Sequence, residues 1–201
     1  MANRNTAGFG FIPAMTLGNT PATQGLSKYW IDAASTVDLY HGGAVEITAG
    51  YVTSAELTPA TRPVTGVLNG IFYNASTTLK PTWANWYNQP ITPANSENLT
   101  AFVIDNPLQL YLASTDAAIA QTGYGKTYGV TVTAAGSELS GQSSSTLTGG
   151  TVSSTANQWR LIRTAEDPSN NDITAAYTSV IVAHNLNQYL QNTGTAGITW
   201  Q

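Results

Sequence analysis

Histidine is the side chain best suited to transfer protons near neutral pH, and this 201-residue sequence contains two. His41 lies in the segment 40–43, where Asp38 or Glu46 could orient it as a general base. His184 could join it in a metal site only if the fold brought the two together and acidic residues completed the ligand set. Since His41 falls between two strand candidates, we interpret it as a turn residue, and we expect no metal site.

Acidic residues form one cluster, in which Glu166, Asp167 and Asp172 fall within seven residues. Their oxygens could hold calcium weakly, but the spacing differs from that of an EF-hand loop, so we favour a solvated turn. Asp105 and Asp116 could act as a glycosidase pair only if the fold opposed them across a sugar. No motif in the sequence supports that arrangement.

Motifs for nucleophilic catalysis and phosphate binding are missing from the sequence. The chain has no cysteine, and it has no Gly-x-Ser-x-Gly segment of the kind that exposes a serine nucleophile. Residues 123–126 read Gly-Tyr-Gly-Lys but lack the spacer and the following helix of a phosphate-binding loop. The sequence therefore predicts no catalytic residue, no cofactor and no enzymatic activity.

The segment 83–88 is the strongest candidate for a binding site, because Trp83, Trp86 and Tyr87 stand there beside asparagines. Exposed rings next to amides could stack on sugars or on bases. Trp and Tyr are also enriched at protein–protein interfaces. We favour an interface, or a plug at one end of the fold, over ligand binding.

The composition points to a protein that packs against other proteins. Charged residues make up 9% of the chain and hydrophobic residues 42%, with a net charge of -4. The few cations are scattered, so we expect no nucleic-acid partner. Hydroxyl and amide groups can enter interfaces without the cost of burying unpaired ions. We expect no membrane partner, since the sequence shows neither a signal-peptide core nor an apolar run of about 18 residues.

Short β-branched and apolar stretches separated by turn residues predict the elements that position these side chains. Alternation is clearest over Leu99–Ile104, which ends at an Asp-Asn-Pro turn. Gly66 and Gly70 indicate bulges or close backbone approach within a strand. The residues 115–122 are the one helix candidate, and 81–93 reads as a loop between prolines. The sequence therefore predicts an all-β protein, a single β-sandwich or β-barrel domain with at most one short helix.

We divide the chain into an extended N-terminal arm at residues 1–25, the β domain at 26–190 and a C-terminal tail at 191–201. The arm is rich in Gly and Pro, which argues against packed secondary structure. It also carries large apolar side chains that a purely disordered tail rarely has, so we expect it to dock on its own domain or on a neighbour. The residues predicted to make these contacts are Phe9, Phe11, Ile12, Met15 and Leu17.

The order of several short motifs resembles that of the capsid decoration, or cement, proteins of tailed bacteriophages, of the marine-phage type. No motif is diagnostic alone, but together they span nearly the whole chain. The segment 83–87 departs from the pattern and leaves its own role open. The matching motifs are Gly10-Phe11-Ile12-Pro13, Lys28-Tyr29-Trp30-Ile31, the glycine step at 41–45, the segment 66–73, Val103-Ile104-Asp105-Asn106-Pro107, the strand 109–112 and the serine-rich stretch leading to Arg163.

The resemblance implies a non-enzymatic structural protein made in the host cytoplasm and located in the virion, on the outer surface of the icosahedral capsid. Its partners would be the major capsid protein and copies of itself, and we expect a homotrimer in preference to a dimer. The arm residues would then contact the capsid or another protomer.

Two other classes remain open. One is a carbohydrate- or receptor-binding virion module, such as a head fibre or adhesin, that uses the 83–87 aromatics. The other is a tail-tube or connector protein. A hydrolase that depends on His41 is a distant further alternative.

Overall fold

The computed structural model describes residues 3–18, 21, 25–55, 62–131, 136–149 and 157–190, and these form an all-β fold, as predicted. This described part contains no α-helix, and its only helical turns are 3-10 turns at Ala94–Ser96 and Gln121–Gly123. The predicted tail at 191–201 lies outside the described residues. The strands are β1 (Ile12–Thr16), β2 (Ser27–Ile31), β3 (Ala44–Thr48), β4 (Tyr51–Ser54), β5 (Gly66–Asn74), β6 (Pro81–Ala84), β7 (Leu99–Ile104), β8 (Gln109–Ser114), β9 (Thr127–Tyr128), β10 (Val130–Thr131), β11 (Thr146–Leu147), β12 (Trp159–Thr164) and β13 (Ser179–His184).

One antiparallel sheet has five strands in the order β1-β8-β13-β12-β9. In its centre Tyr111 lies opposite Val182, and Leu112 lies opposite Ile181. Because successive residues of a strand point to opposite faces, the first pair enters the main core and the second pair faces outward. Strand β1 adds Ile12 to the same outward face, since Ile12 pairs with Leu112.

The second antiparallel sheet has six strands, in the order β2-β7-β5-β3-β4 with β6 added beside β5. It is curled, because its edge strands β2 and β4 contact each other. The enclosed side holds a core of its own, whose buried members are Ile31, Leu39, Val45, Val52, Leu68, Ile71, Tyr87, Leu99, Ala101 and Val103. A two-stranded sheet, β10-β11, completes the described strands.

The two large sheets pack together through a shared aromatic core. Phe11 stacks on Trp159 with ring centroids 4.1 Å apart, and Tyr111 meets Trp159 edge-on at 5.5 Å. Val67 and Ile104 enter this core from the six-stranded sheet. The N-terminal segment therefore supplies part of the core that joins the sheets.

Three local predictions differ from the structure. Residues 12–16 of the predicted arm form β1, an edge strand where Pro13 is tolerated because an outward-facing edge needs no N–H donor there. The residues 115–122 are not an α-helix, because the Asp116 N–H bonds the Leu147 carbonyl and the Ile119 N–H bonds the Ile173 carbonyl. Part of the predicted loop 81–93 pairs with β5 as strand β6.

Both glycines that indicated strand irregularity are explained by the structure. The register of β5 against β7 shifts between Leu68 and Gly70, which marks a bulge. A Cβ atom at Gly66 would lie 2.2 Å from the carbonyl oxygen of Ile104. The close backbone approach and the bulge predicted for this strand are therefore both present.

Candidate interaction surfaces

The five apolar arm residues are divided between the core and the surface. Phe11 is buried in the core of its own chain, where it cannot contact a partner. Phe9 and Met15 are half-buried, whereas Ile12 and Leu17 are exposed. The arm thus docks on its own domain through Phe11 and β1 and still presents aliphatic side chains to the outside.

These exposed arm residues continue into an aliphatic strip, defined here as Ile12, Met15, Leu17, Leu108 and Leu112. The strip is continuous because Ile12 pairs with Leu112, Met15 pairs with Leu110, and the Leu17 N–H donates to the Leu108 carbonyl at 2.9 Å. Leu17 is 49% exposed and Leu108 is 50% exposed. Beside the strip, the outward side of the sheet carries an apolar cluster centred on Leu110, Ile181 and Ala183.

The aromatic side chains at 83–87, for which the sequence favoured an interface or a plug over ligand stacking, lie in three different environments. Trp83 is 50% exposed and leans on Phe102 at 5.1 Å. Trp86 is half-buried and stacks on Tyr40 at 5.1 Å. Tyr87 is fully buried in the core of the curled sheet, and its hydroxyl donates to the Ser35 carbonyl at 3.0 Å. They do not form one surface.

A second set of exposed rings was missed by the sequence analysis. Trp30 lies opposite Thr100, and Thr100 lies opposite Phe72, so all three share the outward side of the six-stranded sheet. Trp30 is 54% exposed. The available signal was the alternation within Ser27–Ile31, where exposed Lys28 precedes Trp30 by two residues.

The two histidines have separate structural surroundings. The His41 ring nitrogen Nδ1 lies 2.8 Å from the Asn69 carbonyl oxygen. His184 is buried in the shared core, where its ring stacks on Tyr111 and hydrogen-bonds the Asn187 amide. Burial lowers the pKa of His184 to about 3, which keeps the ring neutral.

The carboxylates that suggested catalysis or metal binding mostly support local backbone structure. Asp105 accepts a hydrogen bond from the Tyr29 hydroxyl, and Asp116 accepts one from the Gly149 N–H. Asp167 binds the Ser169 N–H and the Asn170 amide, and these hydrogen bonds lower its pKa. Asp172 accepts from Thr174, and its pKa is lowered to about 2. Within the described ranges, no group of three His, Asp or Glu side chains could hold a metal ion.

Glu46, which was considered as a partner of His41, is buried on β3 of the six-stranded sheet. It forms an ion pair with Arg62 at 3.0 Å, and Thr48 donates a further hydrogen bond. Burial raises the pKa of Glu46, and the Arg62 charge opposes that rise. The pair has the geometry of a structural ion pair, in which exposed Arg62 covers the buried carboxylate on β3.

No family model, curated protein or solved structure matched this chain. The described residues include no helix long and apolar enough to cross a membrane.

The exposed apolar side chains form two candidate surfaces for non-covalent recognition. One is the aliphatic strip on the five-stranded sheet, and the other is the outward aromatic face of the six-stranded sheet.

Proposed function

We propose that this chain is a non-enzymatic structural protein of a virus particle, which binds the outer surface of a phage capsid and ties major capsid protein subunits together. The observation that carries the proposal is the aliphatic strip. Ile12 and Leu17 were singled out as contact residues from the sequence, and both are exposed: Ile12 lies on the edge strand β1, and Leu17 directly follows that strand. The motif order supplies the phage capsid as the partner.

The geometry of the strip suits permanent attachment better than transient binding. Its residues lie on or directly beside β1 and β8, whose backbones are hydrogen-bonded to each other, so little conformational entropy is lost when a partner covers them. Aliphatic area removed from water stabilises association by roughly 25 cal/mol per Å². The low overall charge limits desolvation cost at the rim of such a contact.

Mass action explains how such a protein would stabilise a capsid. A protein that binds only the assembled lattice stabilises that state by an amount that grows with the logarithm of its concentration over Kd. Copies joined to each other as a homotrimer or dimer would add avidity, because each bound copy holds its partners near the lattice. The seams between capsid subunits are where this stabilisation would resist the pressure of the packaged genome.

The test is co-sedimentation with expanded, genome-free heads of a candidate phage. We expect the protein to pellet with the heads and to saturate at a fixed ratio to the capsid protein. Leu17→Asp places a charge in the strip and should weaken binding about tenfold or more. Leu139→Asp is the matched control, since Leu139 is 98% exposed and lies outside the strip.

Two results would contradict the proposal. If the protein stays in the supernatant at high concentration, it is not a decoration protein for those heads. If Leu17→Asp and Leu139→Asp weaken binding equally, the strip is not the contact. Ring or tube formation without heads would instead support the tail-tube or connector alternative, and turnover lost in His41→Ala would support the hydrolase.

A further inference from the structure

An open groove of about 340 Å³ lies on the outward side of the six-stranded sheet. It belongs to a different sheet from the aliphatic strip and shares no residue with it. The lining combines the two exposed rings, Trp30 and Phe72, and half-buried Tyr73 with four further polar residues: Asn74, Glu97, Asn98 and Thr100.

The rings in this groove are exposed although they sit on regular strands. Trp30 is 54% exposed and Phe72 is 38% exposed. Among the described residues, no aromatic ring stacks on either of them, whereas neighbouring Trp83 leans on Phe102. Strand β7 separates the two rings, so they stand two strand spacings apart, roughly 10 Å. A disaccharide can span that separation.

The polar wall of the groove is built at the end of β5 and before β7. The Asn74 amide donates to a Glu97 carboxylate oxygen at 3.3 Å, which ties the two segments together. Asn95 and Ser96, directly before them, have φ values of 56° and 57°, a left-handed conformation that non-glycine residues adopt at some cost. Glu97 and Asn98 are exposed, so their polar groups remain accessible from the groove.

We propose that this groove binds carbohydrate. A pyranose has one face of C–H groups, which packs on an aromatic ring, and a rim of hydroxyls, which pair with amide and carboxylate groups. Trp30 would pack against the apolar face of one sugar, and Phe72 would pack against the next sugar of the oligosaccharide. Asn74, Glu97 and Asn98 would bind the hydroxyls.

The lining favours this ligand over two others. An anionic ligand, including nucleic acid, is disfavoured because the lining contains the Glu97 carboxylate and no cation. Lys28, on the same strand as Trp30, has its ammonium over the Phe102 ring at 5.7 Å. A protein anchor is disfavoured because four of the lining side chains are polar, unlike the fully apolar centre of a protein interface. A neutral polyhydroxyl compound can pack its C–H groups on the aromatic rings and hydrogen-bond its hydroxyls to the polar side chains.

The experiment uses the full chain with maltotetraose, cellotetraose and chitotetraose as probes. Saturation-transfer NMR with each oligosaccharide at about 5 mM detects binding with a Kd of about 1 mM, and titration of the tryptophan fluorescence gives the affinity. We expect transfer to at least one of the three. Transfer to none of them would overturn the proposal.

Two tryptophans on the same side of the sheet provide matched variants. Trp30→Ala should weaken binding about tenfold or more. Trp83→Ala should leave it unchanged within about twofold, because Trp83, although it pairs with Phe72 and is about as exposed as Trp30, leans on Phe102 and does not line the groove. Trp30→Phe keeps a ring and should retain part of the affinity, which separates stacking from a general loss of folding.

Two outcomes with these variants would count against the groove. Equal loss of affinity in Trp30→Ala and Trp83→Ala would overturn the assignment. Loss of head binding in Trp30→Ala, without any effect on sugar binding, would mean that the groove is a protein contact.

Discussion

At the scale of single residues, His184 shows how burial fixes a protonation state. The ring is buried between Tyr111, stacked at 5.3 Å, and Trp159, edge-on at 4.8 Å. Its pKa is lowered to about 3 by burial. In the unfolded chain a histidine titrates near 6.5, so only the unfolded state gains a proton between these two values. Acid therefore favours unfolding through this residue.

The expected result is a loss of stability at acidic pH that is smaller in His184→Gln than in the wild-type protein. As pH falls below about 6.5, the free energy of unfolding should fall by up to about 1.4 kcal/mol per pH unit in the wild-type protein. Urea unfolding at several values between about pH 5 and pH 7 measures this slope. Glu46 titrates in both proteins, so the difference between wild type and variant isolates His184. Equal slopes would contradict the assignment.

The rings at 83–87 show how far the sequence could predict the site residues. Their identity marked them as candidates, but the direction of each ring depends on where β6 ends. Trp83 lies inside β6, and the chain bends after Ala84, which turns Tyr87 into the core of the curled sheet. That bend follows from pairing between β5 and β6, which the local sequence does not specify.

At the scale of elements, the segment 11–17, which contains β1, buries one end in the core and exposes the other. Phe11→Ala should lower the free energy of unfolding by about 3–5 kcal/mol, because it empties the stack on Trp159 in the shared core. Leu17→Ala should change it by less than about 0.5 kcal/mol, since Leu17 is exposed. Chemical denaturation of both variants is the measurement. A small effect of Phe11→Ala would show that the arm is dispensable for folding.

Within β5, Gly66 is required by the close approach of β7. Gly66→Ala should destabilise the fold by about 1–3 kcal/mol, because a Cβ atom there would lie 2.2 Å from the Ile104 carbonyl oxygen. Gly25→Ala is the matched control, as no atom of the described residues, chain neighbours aside, lies within 4 Å of a Cβ built at Gly25. Thermal melting of the two variants compares them. Equal melting temperatures would mean that the backbone moves apart at little cost.

Most strands could be predicted from the sequence because alternation and turn residues are local signals. Leu99–Ile104 was predicted with its observed bounds, since a buried alternation ends there at Asp-Asn-Pro. The helix predicted at 115–122 is wrong. Its alanines favour helix, but this preference is outweighed where backbone groups find hydrogen-bond partners elsewhere in the fold. There the backbone donors of Asp116 and Ile119 bond to distant segments instead.

At the scale of the whole molecule, the all-β class could be predicted, but the pairing of distant strands could not. The arm is separated from β8 by about 95 residues of sequence, yet it completes the five-stranded sheet. Nothing in residues 12–16 specifies that partner, because edge pairing depends on which strand edge the rest of the fold leaves open. The same limit applies to the curl of the six-stranded sheet and to the groove on its outward side.

The most direct test of the proposed function is a footprint of the protein while it is bound to phage heads. Hydroxyl-radical oxidation, read by mass spectrometry, reports the exposure of individual side chains. Oxidation of Ile12, Met15, Leu17 and Leu108 should fall several-fold on the heads, while Trp30 and Trp83 stay as reactive as in the free protein. Unchanged oxidation of the strip together with protection of Trp30 would contradict the account.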